Sequence, residues 1–95
     1  MVLNKHSLIS RSKNVAERLF EGEMLIITPN DSKLHRLNKL GTFIWGKLHN
    51  KISLNEICNM ISEAFEGYSE EKNFPEICGY LLELEDKKLI TIERV

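Results

Sequence analysis

Apolar positions along this chain follow two different rhythms. Between Val15 and Leu37 they come in short runs, "VAERLF" (15–20), "EMLIIT" (23–28) and "LHRL" (34–37), the pattern of half-buried strands. From Leu40 onward they recur at helical spacing as Leu40, Ile44 and Leu48, with Phe43 and Trp45 beside them. The change happens inside one uninterrupted stretch, "LHRLNKLGTFIWGKL" (34–48), where a charge-spotted strand runs straight into an aromatic helix. Leu34 and Arg36 fall on one face of that strand, His35 and Leu37 on the other. Glu21-Gly22 separates the first two runs as a short hairpin connection, and "PNDSK" (29–33) supplies a second turn. The sequence therefore predicts a three-stranded antiparallel meander.

Three helices are predicted after it. Asn38 is a good N-cap for the first, which should end about His49–Lys51. Ser53 and Glu56 form an S-x-x-E capping box for the second, whose apolar stripe is Leu54, Ile57, Cys58, Ile61, Ala64 and Phe65, and Gly67 stops it. The third is expected to start with Asn73 as its cap, placing Pro75 in the first turn and Glu76 as a capping-box partner. Capping by Ser69 instead would put Pro75 more than a turn inside the helix. This helix should bury Phe74, Ile77, Leu81 and Leu84 and run out near Lys87 or Lys88, before "LITIE" (89–93) as a short strand or extended tail.

Residues 1–14 carry Lys5, His6, Arg11 and Lys13 among serines and asparagines with no acid, and read as a flexible N-terminal arm. Residues 15–95 then form a single domain. The fold class is α+β and winged-helix-like, a three-stranded antiparallel N-terminal sheet followed by a three-helix bundle. Gly41, Gly46 and Gly79 lie inside predicted helices, where each costs about 1 kcal/mol against alanine. They mark either close backbone packing or room left for a ligand.

Composition narrows the function more than the fold. With 95 residues and 42% hydrophobic composition, the chain makes one small domain with a modest core. A formal net charge of -1 supplies no general field for nucleic acid or anionic membrane. No run of about 18 apolar residues is present, and the opening "MVLNKHSLIS" lacks a signal peptide's apolar middle, so a cytoplasmic location is expected. Cys58 and Cys78, each within an apolar helical pattern, are expected as buried free thiols rather than a disulfide or a zinc site. No phosphate-cradling glycine loop occurs, and His6, His35 and His49 are scattered without a nucleophile beside them. The residues thus point to a non-enzyme with no cofactor.

A winged-helix arrangement suggests a DNA-binding regulator, with the third helix in the major groove. That helix, however, carries Glu70, Glu71, Glu76, Glu83, Glu85 and Asp86 against Lys72, Lys87 and Lys88, a balance that phosphates repel. The other reading starts at the third strand, which has one neighbour in a meander. Its Lys33, His35 and Arg36 discourage indiscriminate self-pairing yet leave an edge on which an extended peptide could add as a fourth strand. The same charges also suit a strand edge kept merely soluble, or one covered by the N-terminal arm.

The stretch "LHRLNKLGTFIWGKL", with Leu37-Asn38, Gly41 and Ile44-Trp45, closely resembles the signature of the PqqD family. "ISLNEICNMISEAFEGY" (52–68) is similar to that family's second helix and closing aromatic, and "ICGYLLELEDKKLI" (77–90) to its third helix ending in Leu-Ile. The resemblance runs from about Val15 to Ile92. It implies a domain that binds the leader segment of ribosomally made, post-translationally modified precursor peptides as an added strand, between the third strand and the third helix. The partners it implies are the precursor peptide and a modifying enzyme, of radical SAM type in pyrroloquinoline quinone biosynthesis. By position, Leu34, His35, Arg36 and Leu37 would template the guest, and Ile77, Tyr80, Leu81 and Leu84 would face it, with Ile77, Leu81 and Leu84 equally suited to the core. Tyr80 offers a hydroxyl fitted to a partly open groove, and Lys87 and Lys88 could meet acidic leader residues. Trp45 reads as core. Lys88 stands where the family often has a glycine, and Glu76 directly after Pro75 takes the acidic position that opens the third helix.

Overall fold

A computed structural model of the chain describes residues 3–28 and 32–94. In order, it contains β1 (Leu8–Arg11), β2 (Ala16–Phe20), β3 (Glu23–Thr28), β4 (Lys33–Arg36), α1 (Lys39–Lys47), β5 (Ile52–Ser53), α2 (Leu54–Ala64), α3 (Glu70–Asp86) and β6 (Ile90–Glu93). The class is α+β, with antiparallel sheets and three helices.

The expected meander is present as a sheet of order β2-β3-β4. Glu21 and Gly22, both at positive φ (50° and 82°), make the two-residue connection between Phe20 and Glu23, as the twist of a tight hairpin requires. Most of the turn expected at 29–33 falls on Pro29, Asn30 and Asp31, outside the described residues. One face of this sheet, with Ile26 fully buried and Met24 and Thr28 beside it, packs towards α1.

The N-terminal segment departs from expectation. Rather than a flexible arm, its described part contains β1, the central strand of a second sheet of order β5-β1-β6. Ile9 pairs across to Ile52 on one side and Ile92 on the other, making a cross-strand row of isoleucines around a side chain with no exposure. Leu3 is buried in the same core as Ile9, Trp45 and Leu81. The tail read as strand or extended segment is β6, held by this pairing.

Arg11, also assigned to the arm, joins the two sheets. Its guanidinium donates to the Trp45 carbonyl at 2.8 Å and to the Glu17 carboxylate at 3.1 Å, and lies 4.8 Å from the Trp45 ring centre. Trp45 is buried as expected, and its indole N–H donates to the other Glu17 oxygen. The buried indole thus has the partner that burial of a polar N–H demands.

Local signals explain the helix starts. Asn38 caps α1, its side-chain oxygen accepting from the Gly41 N–H at 2.8 Å. The helix ends at Lys47, with Leu48 as its C-cap, just short of the expected His49–Lys51. The Ser53–Glu56 capping box opens α2, which buries Leu54, Ile57, Cys58 and Ile61, while Ala64 is exposed. Phe65 packs edge-on against Phe43 with ring centres 5.2 Å apart. Both cysteines are free, but Cys78 is only partly buried, and burial with Cys58 nearby pushes its thiol above the ordinary value.

The start of α3 corrects the expectation of an Asn73 cap. The helix begins one turn earlier, after Ser69, with Pro75 inside it. Asn73 holds this extra turn from within: its side-chain oxygen accepts from the Ser69 N–H at 2.9 Å, and its own N–H reaches the Ser69 carbonyl at 2.7 Å. Pro75 is exposed, so water can serve the backbone carbonyl its ring leaves without a donor.

At its other end α3 closes with a Schellman motif. The Leu89 N–H reaches back to Leu84 and the Lys88 N–H to Glu85, with Lys88 at φ 65°. A non-glycine residue carries strain there, so Lys88→Gly should raise unfolding stability by about 0.5–1 kcal/mol. Urea denaturation checks this, and an unchanged or lower midpoint would count against the strain. Beyond the turn, Arg94 grips Glu85 through two hydrogen bonds of 2.8 Å, and this holds the Glu85 carboxyl below the usual range. Among the described residues no helix is long and apolar enough to cross a membrane.

Candidate functional site

β4 is the last strand of its sheet, and among the described residues nothing pairs with its outer edge. The Leu37 N–H bonds to the Met24 carbonyl of β3 at 2.9 Å. Because backbone groups alternate along an antiparallel strand, His35 and Lys33 also point towards β3, while Leu34 and Arg36 present N–H and C=O groups to the open side. Their side chains emerge on the sheet face away from the core, and those of His35 and Leu37 on the core side.

The C-terminal part of α3 and the turn after it lie across from this open edge and leave a groove of about 360 Å³. Leu34, His35, Arg36, Leu37 and Asn38 form one side, and Tyr80, Glu83, Leu84, Lys87 and Leu89 the other. Leu37, Leu84 and Leu89, all nearly fully buried, lie behind the groove, and most of the surface it offers is polar. Its rim is charged: Lys87 lies 3.4 Å from Glu83 in an exposed pair, a contact of small energetic weight.

Tyr80 closes the Asn38 end. Its hydroxyl lies 3.4 Å from the Asn38 side-chain oxygen that caps α1. Burial, and secondarily Glu83, push its phenol above the ordinary value, so it stays a donor. The ring fits because residue 41 has no side chain: a Cβ on Gly41 would sit 1.9 Å from the Tyr80 hydroxyl and 3.2 Å from the Leu37 Cβ. Of the helical glycines, Gly41 is thus explained by close packing, whereas a Cβ on Gly46 or Gly79 would meet open space. Gly41→Ala should leave stability within about 1 kcal/mol of the parent, since the gain in helix propensity offsets the displaced ring. It should also swing Tyr80 out of place. A changed Tyr80 ring spectrum with an unchanged urea midpoint is the expected result; a large loss of stability would mean that the ring has nowhere to go.

Of the residues expected to bind peptide, Leu34, His35, Arg36, Leu37, Tyr80, Leu84 and Lys87 line this one groove. Three do not. Leu81 has no exposure, and Ile77 faces a separate hollow with Leu40, Ile61 and Phe65. Lys88, at φ 65° just past the helix end, is not part of the groove lining. Asn38, Glu83 and Leu89 join the lining without having been expected. Glu83 and Lys87 share the exposed side of α3 with Tyr80 by i, i+3 and i, i+4 spacing, a signal the sequence did carry.

An open strand edge facing a helix across a part-apolar groove defines a small domain of the kind that can take an extended guest. Residues 23–90 match the family model for coenzyme PQQ synthesis protein D (PqqD), and the chain belongs to that family. A solved structure, TbiB1 in complex with the TbiA(beta) leader peptide, shares the fold with a TM-score of 0.77 at 18% identity. The match covers 85% of this chain and 93% of that one. No curated protein matches the chain.

Proposed function

We propose that the chain is a non-catalytic peptide chaperone: it binds the leader of a ribosomally made precursor peptide on the edge of β4 and presents it to a modifying enzyme. The observation that carries this reading is the pair of outward-facing backbone positions, Leu34 and Arg36, on an edge left open beside α3. Family membership and a fold shared with a leader-bound protein support it. In this reading backbone bonds give affinity and the groove selects side chains. The modifying enzyme is of radical SAM or another peptide-modifying type, and the complex works in the cytoplasm. The arrangement is read as winged-helix-like, β2-β3-β4 acting as the wing beside three packed helices. Duplex DNA is the weaker occupant, because Glu71, Glu76, Glu83, Glu85 and Asp86 on α3 outweigh its Lys72 and the Lys87 and Lys88 that follow it.

A backbone-amide NMR titration with the short peptide encoded beside this chain's gene tests the reading. Saturable shifts along residues 34–37 and on Tyr80, Glu83 and Leu84 are expected. Shifts that appear only with duplex DNA at low salt would overturn it.

A further inference from the structure

The outer face of the β2-β3-β4 sheet is organised in cross-strand rows that stop at β4. Ala16, Ile27 and Leu34 lie opposite one another in one row, and Arg18, Leu25 and Arg36 in the next. The apolar row is uncovered, with Leu34 62% and Ile27 43% exposed. In the other row, Arg36 gives its Nε to Glu23 at 2.5 Å, and among the described residues its terminal nitrogens meet no hydrogen-bond partner. On the core face the row ends at Leu37, beside Leu84 and Leu89 in the groove.

A strand added to β4 continues each row by one residue, because directly opposed residues share a face. Every pairing in this sheet is antiparallel, so the guest is taken as antiparallel too. We infer that the guest strand reads, from its N-terminus, acidic, unrestricted, apolar. The acid lies opposite Arg36 and takes its free guanidinium nitrogens. The last lies opposite Leu34 and covers the exposed row. The position opposite His35 is left open, since His35 already lies 3.5 Å from the Thr28 hydroxyl. This pattern rests on the strand-addition reading and names the class of peptide that the site selects.

A random twelve-residue phage-displayed library selected on the folded chain tests it, followed by synthetic copies of enriched peptides. Enrichment of the pattern is expected. Replacing the acid by lysine in one such peptide should weaken binding roughly fivefold, and Arg36→Glu should reverse that order, now favouring lysine. Arg36→Glu gives up only an exposed ion pair, so the fold survives. Enriched peptides that shift the Leu34 and Arg36 amides but show no preference for an acid, or carry the pattern reversed, would overturn the pattern and leave strand addition standing. Enriched peptides that map elsewhere, or no enrichment on a chain with a folded amide spectrum, would overturn both.

Discussion

Leu34→Pro weakens peptide binding by about tenfold or more while the domain stays folded. The Leu34 N–H points to the open side of β4 and holds no ladder bond to β3, so proline deletes a donor used only by a guest. The ring also occupies the space where the guest backbone must approach. Its cost to the free protein is small, since proline is tolerated on an edge strand and Lys33 before it is already extended. Leu34→Ala, which removes only the exposed side chain, is the matched control and should bind more tightly than the proline variant. His35→Pro is the opposite case: it breaks a bond to β3 and should loosen the edge itself. If Leu34→Pro binds like Leu34→Ala, the guest does not pair with β4.

The second large effect is on stability. Ile9→Ala should lower the unfolding free energy by about 3 kcal/mol. Ile9 is fully buried, flanked across the strands by Ile52 and Ile92, and its neighbours are tied into ladders that cannot close over a cavity. For a domain of this size that corresponds to a melting point lower by roughly 12–24 °C. Thermal and urea unfolding read it directly. A midpoint unchanged by Ile9→Ala would mean that the N-terminal segment is an appendage after all, and that β1 adds nothing to the core.

Ile9 also shows where sequence reading ran out. The meander was legible because its strands are contiguous runs separated by turn chemistry at Glu21-Gly22, and α2 because the Ser53–Glu56 box and its stripe agree. β1 has one deep side chain, Ile9, among Ser10 and Arg11, and its partners lie far along the chain in a two-residue strand and the C-terminal tail. Nothing local marks such a strand, since its stability comes from a row assembled by the fold. The start of α3 was misplaced by a rule that is sound on average, that proline avoids the helix interior. Here an exposed Pro75 and the inward-acting Asn73 side chain overrule it.

At the groove, the outward residues of β4 followed from period-two alternation, while Tyr80 was placed there by the PqqD resemblance, its hydroxyl suiting a partly open groove. Ile77 and Leu81 were equally suited to core and groove, because a helix packed between a core and a groove shows one continuous apolar stripe. Which part of the stripe borders the groove depends on helix rotation, which Tyr80 against Gly41 and the closure at Lys88 hold in place.

The most direct measurement of strand addition is amide hydrogen exchange at β4, with and without the gene-neighbour peptide. The account predicts that Leu34 and Arg36, open to solvent in the free protein, become protected when peptide binds. Lys33, His35 and Leu37, already turned towards β3, should change far less. Saturable binding that leaves the exchange of Leu34 and Arg36 unchanged would contradict it.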